Sequence, residues 1–277
     1  MGIEEKYSQL QHILRDLKRV AVAFSGGVDS TFLLRAAIDT LGAGKVLACI
    51  SVGPFEPKHL IEQARNLAAG FSVRLIEIAG DECADEALTA NSPDRCFLCK
   101  SHLFERMWEI ARAQGFEQVL CGSNADDLND FRPGHRAIEQ FGVRCPLVEA
   151  GLSKPEIRKL SRRIGLPTAE QPASPCLASR IPYGMEITPA RLEQIEQAEM
   201  FLRGLGFAEF RVRHHDTIAR IEAPTREFVT MTAEPLRGRI VERFKALGFK
   251  YVCLDLQGFR SGALNETLSD EQKKQYR

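Results

Sequence analysis

The 277-residue sequence carries no net charge, with 37 Lys and Arg set against 37 Asp and Glu. Zero net charge argues against bulk attraction to nucleic acid or to an anionic membrane and leaves only local patches, so any anion must be gripped by a few placed groups. Long apolar runs are also missing. No stretch approaches the roughly 18 apolar residues of a membrane span, and Met1-Gly2-Ile3-Glu4-Glu5-Lys6 opens neither a secretory leader nor a myristoylation signal. A cytoplasmic protein is expected. Disorder is disfavoured in turn, because 44% apolar and 27% charged residues sit near globular averages. Lysine is scarce beside arginine, whose planar fork binds carboxylates and phosphates bidentately, although codon bias produces the same skew. Against these absences stand eight cysteines. In a reducing compartment they are catalytic, metal-bound or simply reduced, rather than structural disulfides.

Apolar periodicity lays out the chain. Leu10, Ile13, Leu14 and Leu17 follow helical spacing, and Val20 to Phe24 is a short continuous apolar run. Helices are predicted over 30–41, closed by Gly42, and over 57–69, 98–114 and 154–164. Buried strands are predicted over 45–52, 73–78 and 118–121. This alternation implies an α/β fold, a mostly parallel sheet with helices on both faces, whose ligands sit at the carboxyl ends of the strands. The Pro-rich stretch 167–175 marks a domain boundary, giving domains 1–168 and 169–277. The second is a smaller α/β domain holding the Cys176 loop, with helices over 189–205 and around 240–247. Each runs through Leu-Gly-Phe into a strand, the first carrying Phe210 and Val212, the second spanning 251–256.

The most informative segment is Phe24-Ser25-Gly26-Gly27-Val28-Asp29-Ser30, which joins a buried strand to a helix start. Unpaired N–H groups and the positive end of the helix dipole favour an anion there. The glycines let backbone approach a phosphate, and Asp29 is placed to cap the helix. The segment lacks both the lysine of a Walker A loop and the G-x-G-x-x-G spacing. It resembles the SGGxDS signature of the PP-loop ATP pyrophosphatases. That resemblance implies ATP and Mg²⁺, cleavage between the α and β phosphates, adenylylation of a substrate oxygen and release of pyrophosphate. Ala23, Phe24, Ser25, Gly26, Gly27, Asp29 and Ser30 are the expected nucleotide-binding residues. Asp127 joins them from Asp126-Asp127-Leu128-Asn129-Asp130-Phe131-Arg132-Pro133-Gly134, which follows a strand end and reads equally as a polar turn.

Cys96-Phe97-Leu98-Cys99 lies at a helix start, where thiolates are favoured, and Cys176 stands in the irregular loop. Three thiols are one short of a structural zinc set, whereas an iron–sulfur cluster on three thiolates keeps one iron open. Cys49, Cys121 and Cys253 fall in apolar strand runs and are expected in the core. Cys83 and Cys145 have no partner legible in the sequence.

Cys176-Leu177-Ala178-Ser179-Arg180-Ile181-Pro182-Tyr183-Gly184, Phe210-Arg211-Val212-Arg213-His214 and Asp255-Leu256-Gln257-Gly258-Phe259-Arg260-Ser261-Gly262 resemble the LarE family of ATP-dependent sulfur transferases. With the phosphate loop, the likeness runs from about residue 18 to 268. It implies conversion of the carboxylates of pyridinium-3,5-biscarboxylic acid mononucleotide to thiocarboxylates, for the nickel-pincer nucleotide cofactor of lactate racemase. Because Cys96 and Cys99 accompany Cys176, the resemblance is to the three-cysteine branch, in which a [4Fe-4S] cluster carries an additional sulfide. It implies catalytic roles for Cys96, Cys99 and Cys176, substrate-side roles for Ser179, Arg180, Arg211 and Arg213, a separate sulfide or sulfur donor, and a homo-oligomer of hexameric kind.

Arg211 and Arg213, two apart on a strand, share one face and can hold a phosphate or carboxylate bidentately; a solvated strand edge is the alternative. Glu199 and Glu222 are candidate metal ligands, with a surface charge the alternative for each. His214 and His215 point to opposite faces and are given no role. The rival functions are a PP-loop tRNA thiolase, an amide-forming synthetase and a zinc-bearing nucleotide-binding module. Zero net charge favours a small anionic substrate, with neither nucleic acid nor membrane as partner.

Overall fold

Strand formation follows the continuous apolar runs, and helices fill the intervals between them. The computed structural model describes residues 1–129, 133–173, 175–260 and 262–276. The first part of the chain runs α1 (Ile3–Leu17), β1 (Val20–Ala23), α2 (Val28–Leu41), β2 (Val46–Val52), α3 (Lys58–Gly70), β3 (Arg74–Ala79), α4 (Glu86–Thr89), α5 (Arg95–Ala113), β4 (Gln118–Leu120), α6 (His135–Gln140), α7 (Pro146–Glu149) and α8 (Lys154–Arg163). It continues as α9 (Pro189–Gly204), β5 (Arg211–His215), β6 (Ile218–Glu222), α10 (Phe228–Thr232), α11 (Leu236–Ala246), β7 (Tyr251–Leu254) and α12 (Asp270–Gln275). The short helices α4, α6, α7, α10 and α12 and strand β6 have no counterpart among the elements expected from the sequence. Among the described residues no helix is long and apolar enough to cross a membrane.

Two compact units emerge, one of Met1–Gly80 with Cys96–Ser174, the other of Asp81–Arg95 with Pro175–Tyr276. The second unit resumes at Pro175. That unit also recruits residues 81–95, which a single cut along the chain assigns to the first.

In the first unit the sheet order is β3-β2-β1-β4 and all pairs are parallel. Its central strand β1 and the first five residues of β2 read as unbroken apolar runs because both faces are covered, whereas the edge strand β3 carries Arg74 and Glu77. Val20, Val22, Val46 and Ala48 pack with Leu10, Leu14, Phe32 and Leu34 of α1 and α2. The alternate residues Ala21, Leu47 and Cys49 pack with Phe104, Met107 and Ala111 of α5. From β1 the chain winds outward through β2 to β3 and then returns to place β4 on the other side of β1. The direction of winding reverses there, and at such a switch point the carboxyl ends of neighbouring strands part to leave a ligand crevice. The phosphate loop grows out of the carboxyl end of β1.

In the second unit the order is β5-β6-β7, with β5 antiparallel and β7 parallel to β6. The two expected helix–strand units are present, α9 with β5 and α11 with β7, and β6 separates their strands. Asp216 takes a left-handed φ of 55° in the two-residue turn between β5 and β6, a conformation Asp tolerates. Val212, Ala219 and Ile221 enter a core with Leu202, Phe244 and Phe249. Cys253, expected in the core, is exposed on β7, because β7 is an edge strand whose residues are at most half-buried.

His214 is buried, its ring lying 5.3 Å from that of Phe249 while Nε2 meets the Gln194 carboxamide oxygen at 2.9 Å. Burial lowers its pKa from 6.5 to about 4, and His215 shifts in the same direction. The folded form thus binds fewer protons than the unfolded chain between pH 6.5 and 4, and stability falls as pH falls through that window. For His214 alone the loss reaches about 3 kcal/mol. The urea midpoint is expected to drop between pH 7 and 4.5, and His214→Phe to flatten that dependence. An unchanged slope in the variant would assign the acid sensitivity to other groups.

Candidate functional site

The phosphate loop is shaped by its glycines and serines. Phe24 N–H extends the β1 ladder by donating to Cys49 C=O at 2.8 Å. The chain then turns through Gly26, whose φ of +71° is left-handed and whose missing Cβ would meet the Ala64 Cβ at 3.2 Å. Gly27, rather than Asp29, is the N-cap of the 14-residue helix α2, and no side chain caps that end. Ser30 Oγ, in the first turn, donates to Gly27 C=O at 3.2 Å, accepts from Ser25 N–H at 3.3 Å and lies 3.1 Å from Ser25 Oγ. The two serines thereby cross-brace a loop that presents a helix N-terminus to the crevice, the arrangement that suits a phosphate.

Three supports were not legible in the sequence. The Gln63 amide donates to Gly26 C=O at 2.9 Å and to Gln171 Oε1 at 2.7 Å, tying the loop to the end of the unit. Lys154 Nζ pairs with Asp29 at 2.6 Å, and Lys154 N–H donates to the Asp126 carboxylate at 2.8 Å. Asp127 is buried and accepts from Asn124 N–H at 3.0 Å. Asp130, Phe131 and Arg132 of the same stretch lie outside the described residues, as do Ser174 and Ser261.

Gly122, just past β4, lies against the start of α2. A Cβ there would sit 2.9 Å from Ser30 N and 3.0 Å from Ser30 Cα. Backbone cannot yield as a flexible side chain does, so Gly122→Ala is expected to displace the loop, destabilise the protein by about 1–3 kcal/mol and weaken ATP binding more than tenfold. Calorimetric titration with ATP measures this; unaltered affinity would mean that the loop tolerates the shift.

Cys96 and Cys99 occupy the first turn of α5, three residues apart and both half-buried. They belong to the first unit, while Cys176 belongs to the second. Among the described residues no group of three or more His, Cys, Asp or Glu side chains is gathered at metal-binding spacing.

The second unit is built around the Cys176 segment. Cys176 precedes a single 3₁₀ turn, Leu177–Arg180. Its carbonyl accepts from Ser179 N–H at 3.1 Å, Ser179 Oγ at 2.7 Å and Arg180 Nη1 at 3.1 Å. Arg180, almost wholly buried, also donates to Pro175 C=O at 2.6 Å and forks onto Glu199 with two bonds of 2.9 Å. Glu199 in turn accepts from Val212 N–H of β5 at 3.0 Å. Burial works against its charge, yet Arg180 and that N–H hold its carboxyl below the ordinary value.

A second fork joins Arg213 to Glu222 at 2.9 and 2.8 Å, and Arg213 Nη1 donates to Ser179 C=O at 2.7 Å. Arg220 adds a 3.0 Å contact to Glu222 and a 3.2 Å contact to Asp255. Arg211 lies over the Phe259 ring at 4.9 Å. Burial, with neighbouring Arg180 next in size, lowers its pKa to about 10, as expected of a guanidinium withdrawn from water.

The structure therefore brings Ser179, Arg180, Arg211, Arg213, Glu199 and Glu222 together. It corrects two alternatives, since the arginines do not line a solvated strand edge and neither glutamate is a surface charge. As the chain stands, both carboxylates are engaged by guanidinium groups. Asn91 and Arg95 escaped the sequence reading. The buried Asn91 amide donates to Ile181, Pro182 and Met185 carbonyls at 3.2, 2.8 and 3.0 Å. Arg95 bonds Asn91 Oδ1 and donates to Ala178 C=O at 3.1 Å. Their signal was faint, a lone Asn and Arg beside the cysteine motif.

No family model matches the chain. Among curated proteins it is similar to an uncharacterised protein of Synechocystis sp., 40% identical over 96% of this chain and 99% of that one. It is 38% identical to the pyridinium-3,5-bisthiocarboxylic acid mononucleotide synthase of Lactiplantibacillus plantarum, over 96% of each chain. A more distant likeness is the tRNA-specific 2-thiouridylase MnmA of Leptospira biflexa, 23% identical over 64% of this chain and 58% of that one.

Proposed function

The chain belongs to the LarE family, that of the Lactiplantibacillus plantarum synthase, and from this premise we propose that it is an ATP-dependent sulfur transferase acting on pyridinium-3,5-biscarboxylic acid mononucleotide. The observation that carries the reading is the Cys176 segment, braced by two buried Arg–Glu forks in a chain that also bears a phosphate loop. ATP binds with its pyrophosphate end on the amides of Ser25–Ser30 and the N-terminus of α2, with Mg²⁺ sharing the phosphate charge. A substrate carboxylate attacks the α-phosphorus, forming an acyl adenylate and releasing pyrophosphate. The carboxylate oxygen, a poor leaving group, thereby departs as AMP when sulfur displaces it. Arg211 and Arg213 hold the mononucleotide phosphate, and the bonds onto the Cys176 carbonyl fix where its thiol is presented.

Three thiolates suit an iron–sulfur cluster by their chemistry, although among the described residues no three such side chains are gathered. Cys96 and Cys99 are one helical turn apart and half-buried, and Cys176 would be the third thiolate. When bound, such a cluster would supply sulfide at an iron with no protein ligand. The cluster remains part of the proposal, as do the homo-oligomer and the cytoplasmic location.

The deciding experiment is an anaerobic assay of pyrophosphate release and thiocarboxylate formation, beside iron and acid-labile sulfide analysis. The mononucleotide is expected to stimulate release and to be thiolated over multiple turnovers. Stimulation by tRNA in place of the mononucleotide would overturn the reading in favour of a tRNA thiolase. Turnover without iron would remove the cluster alone.

A further inference from the structure

Two cysteines with no part in the proposed chemistry lie in contact. Beyond β4 the chain pairs with residues 143–145 as a short parallel extension of the sheet. Leu120 faces Arg144, Arg144 N–H donates to Val119 C=O at 2.9 Å, and Cys121 N–H donates to Arg144 C=O at 2.9 Å. Cys121 and Cys145 follow that bridge one residue further on, and their Sγ atoms are 3.2 Å apart. Neighbouring strands run about 4.7–4.9 Å apart, within the roughly 4.4–6.8 Å between Cα atoms that a disulfide spans. Closing the sulfurs to a bond of about 2.05 Å requires only about 1 Å of movement, within reach of small χ1 rotations.

The surroundings distinguish this pair from two inert core thiols. Cys121 is buried while Cys145 is half-buried, so one sulfur can be reached from outside. The Cys145 thiol donating to Cys121, aided by Ser123 and Lys100, favours the Cys121 thiolate. A thiol with a stabilised thiolate partner in contact is the arrangement from which exchange proceeds. The pair also adjoins the nucleotide loop, because Gly122, next to Cys121, abuts the Ser30 backbone.

We propose that Cys121 and Cys145 are a redox-active dithiol that closes reversibly to an intrachain disulfide beside the nucleotide loop. The oxidant is a small disulfide of the glutathione class. The Cys121 thiolate takes the proton of the more accessible Cys145 as Cys145 attacks one of the oxidant's sulfurs and expels a thiolate, and Cys121, its proton passed to that thiolate, then attacks the mixed disulfide at the Cys145 sulfur and expels the second. Two protein thiols lose two electrons and two protons, and the oxidant leaves as two thiols.

The test uses the full wild-type chain and needs no variant, so a folding defect cannot obscure it, and it stands apart from the identity of the sulfur acceptor. The reduced protein is equilibrated anaerobically in glutathione buffers of graded ratio, alkylated and digested with trypsin. The expected product is peptide 113–136 joined to peptide 145–158, in a fraction that rises with oxidised glutathione and disappears on reduction. Full alkylation of Cys121 and Cys145 at every ratio, or bonds from either to other cysteines alone, would overturn the proposal.

Discussion

Replacing Cys176 with serine is expected to reduce thiocarboxylate formation to background while ATP-dependent pyrophosphate release on the mononucleotide persists. The separation follows from which atoms hold the segment. Its bonds run from Ser179 and Arg180 to the Cys176 carbonyl, so a serine, nearly isosteric, leaves the turn in place and removes only the thiol. In the proposed mechanism, activation of the carboxylate rests on the phosphate loop, Ser25–Ser30, whose residues keep their identity in this variant. Parallel measurement of pyrophosphate and thiocarboxylate, with near-identical thermal unfolding of the two proteins as control, checks the result. Retention of more than about a tenth of wild-type thiolation, a barrier change below about 1.4 kcal/mol, would remove Cys176 from sulfur delivery.

Glu222→Ala is expected to destabilise the second unit by about 3–5 kcal/mol, because it leaves the Arg213 guanidinium buried without its carboxylate. Glu222 is fully buried and accepts three bonds, from Arg213 and Arg220. Breaking one side of such a pair costs more than removing both. The double variant Arg213→Met/Glu222→Leu should therefore regain most of the lost stability. It should still fail to bind the mononucleotide, because the guanidinium proposed to hold its phosphate and the bond to Ser179 C=O are gone. Denaturant unfolding reads the first property and calorimetric titration the second. Wild-type affinity in the double variant would reduce Arg213 to a purely structural residue.

The phosphate loop was readable because its signal is local. Five residues between an apolar run and a helical period fix both backbone conformation and charge preference. The loop's supports were not, since Gln63 and Lys154 are ordinary polar residues that acquire meaning only where α3 packs on β2 and β3 and α8 packs on α2. The same contrast holds for β5. Its Arg-x-Arg pattern places two guanidiniums on one face, but nothing in the pattern reveals that Glu222, across the hairpin, and the Ser179 carbonyl enclose that face. Cys253 was misjudged because an apolar strand run does not disclose an edge, and Cys145 because its partner is 24 residues away.

By itself the sequence determined the order of the longer helices and of every strand but β6, the glycine turn at the end of β1, the cysteine pair at the start of α5 and the position of Cys176. Each depends on periodicity, on glycine or on spacing within one turn or strand. The tertiary structure alone decided that residues 81–95 join the second unit and that Asn91 gathers carbonyls from 90 to 94 positions away. It alone decided that Glu199 and Glu222 are buried partners of arginines, and that Cys121 meets Cys145. These depend on which distant groups become neighbours once water is excluded. A buried charge or amide must then find its partner wherever the fold has placed one.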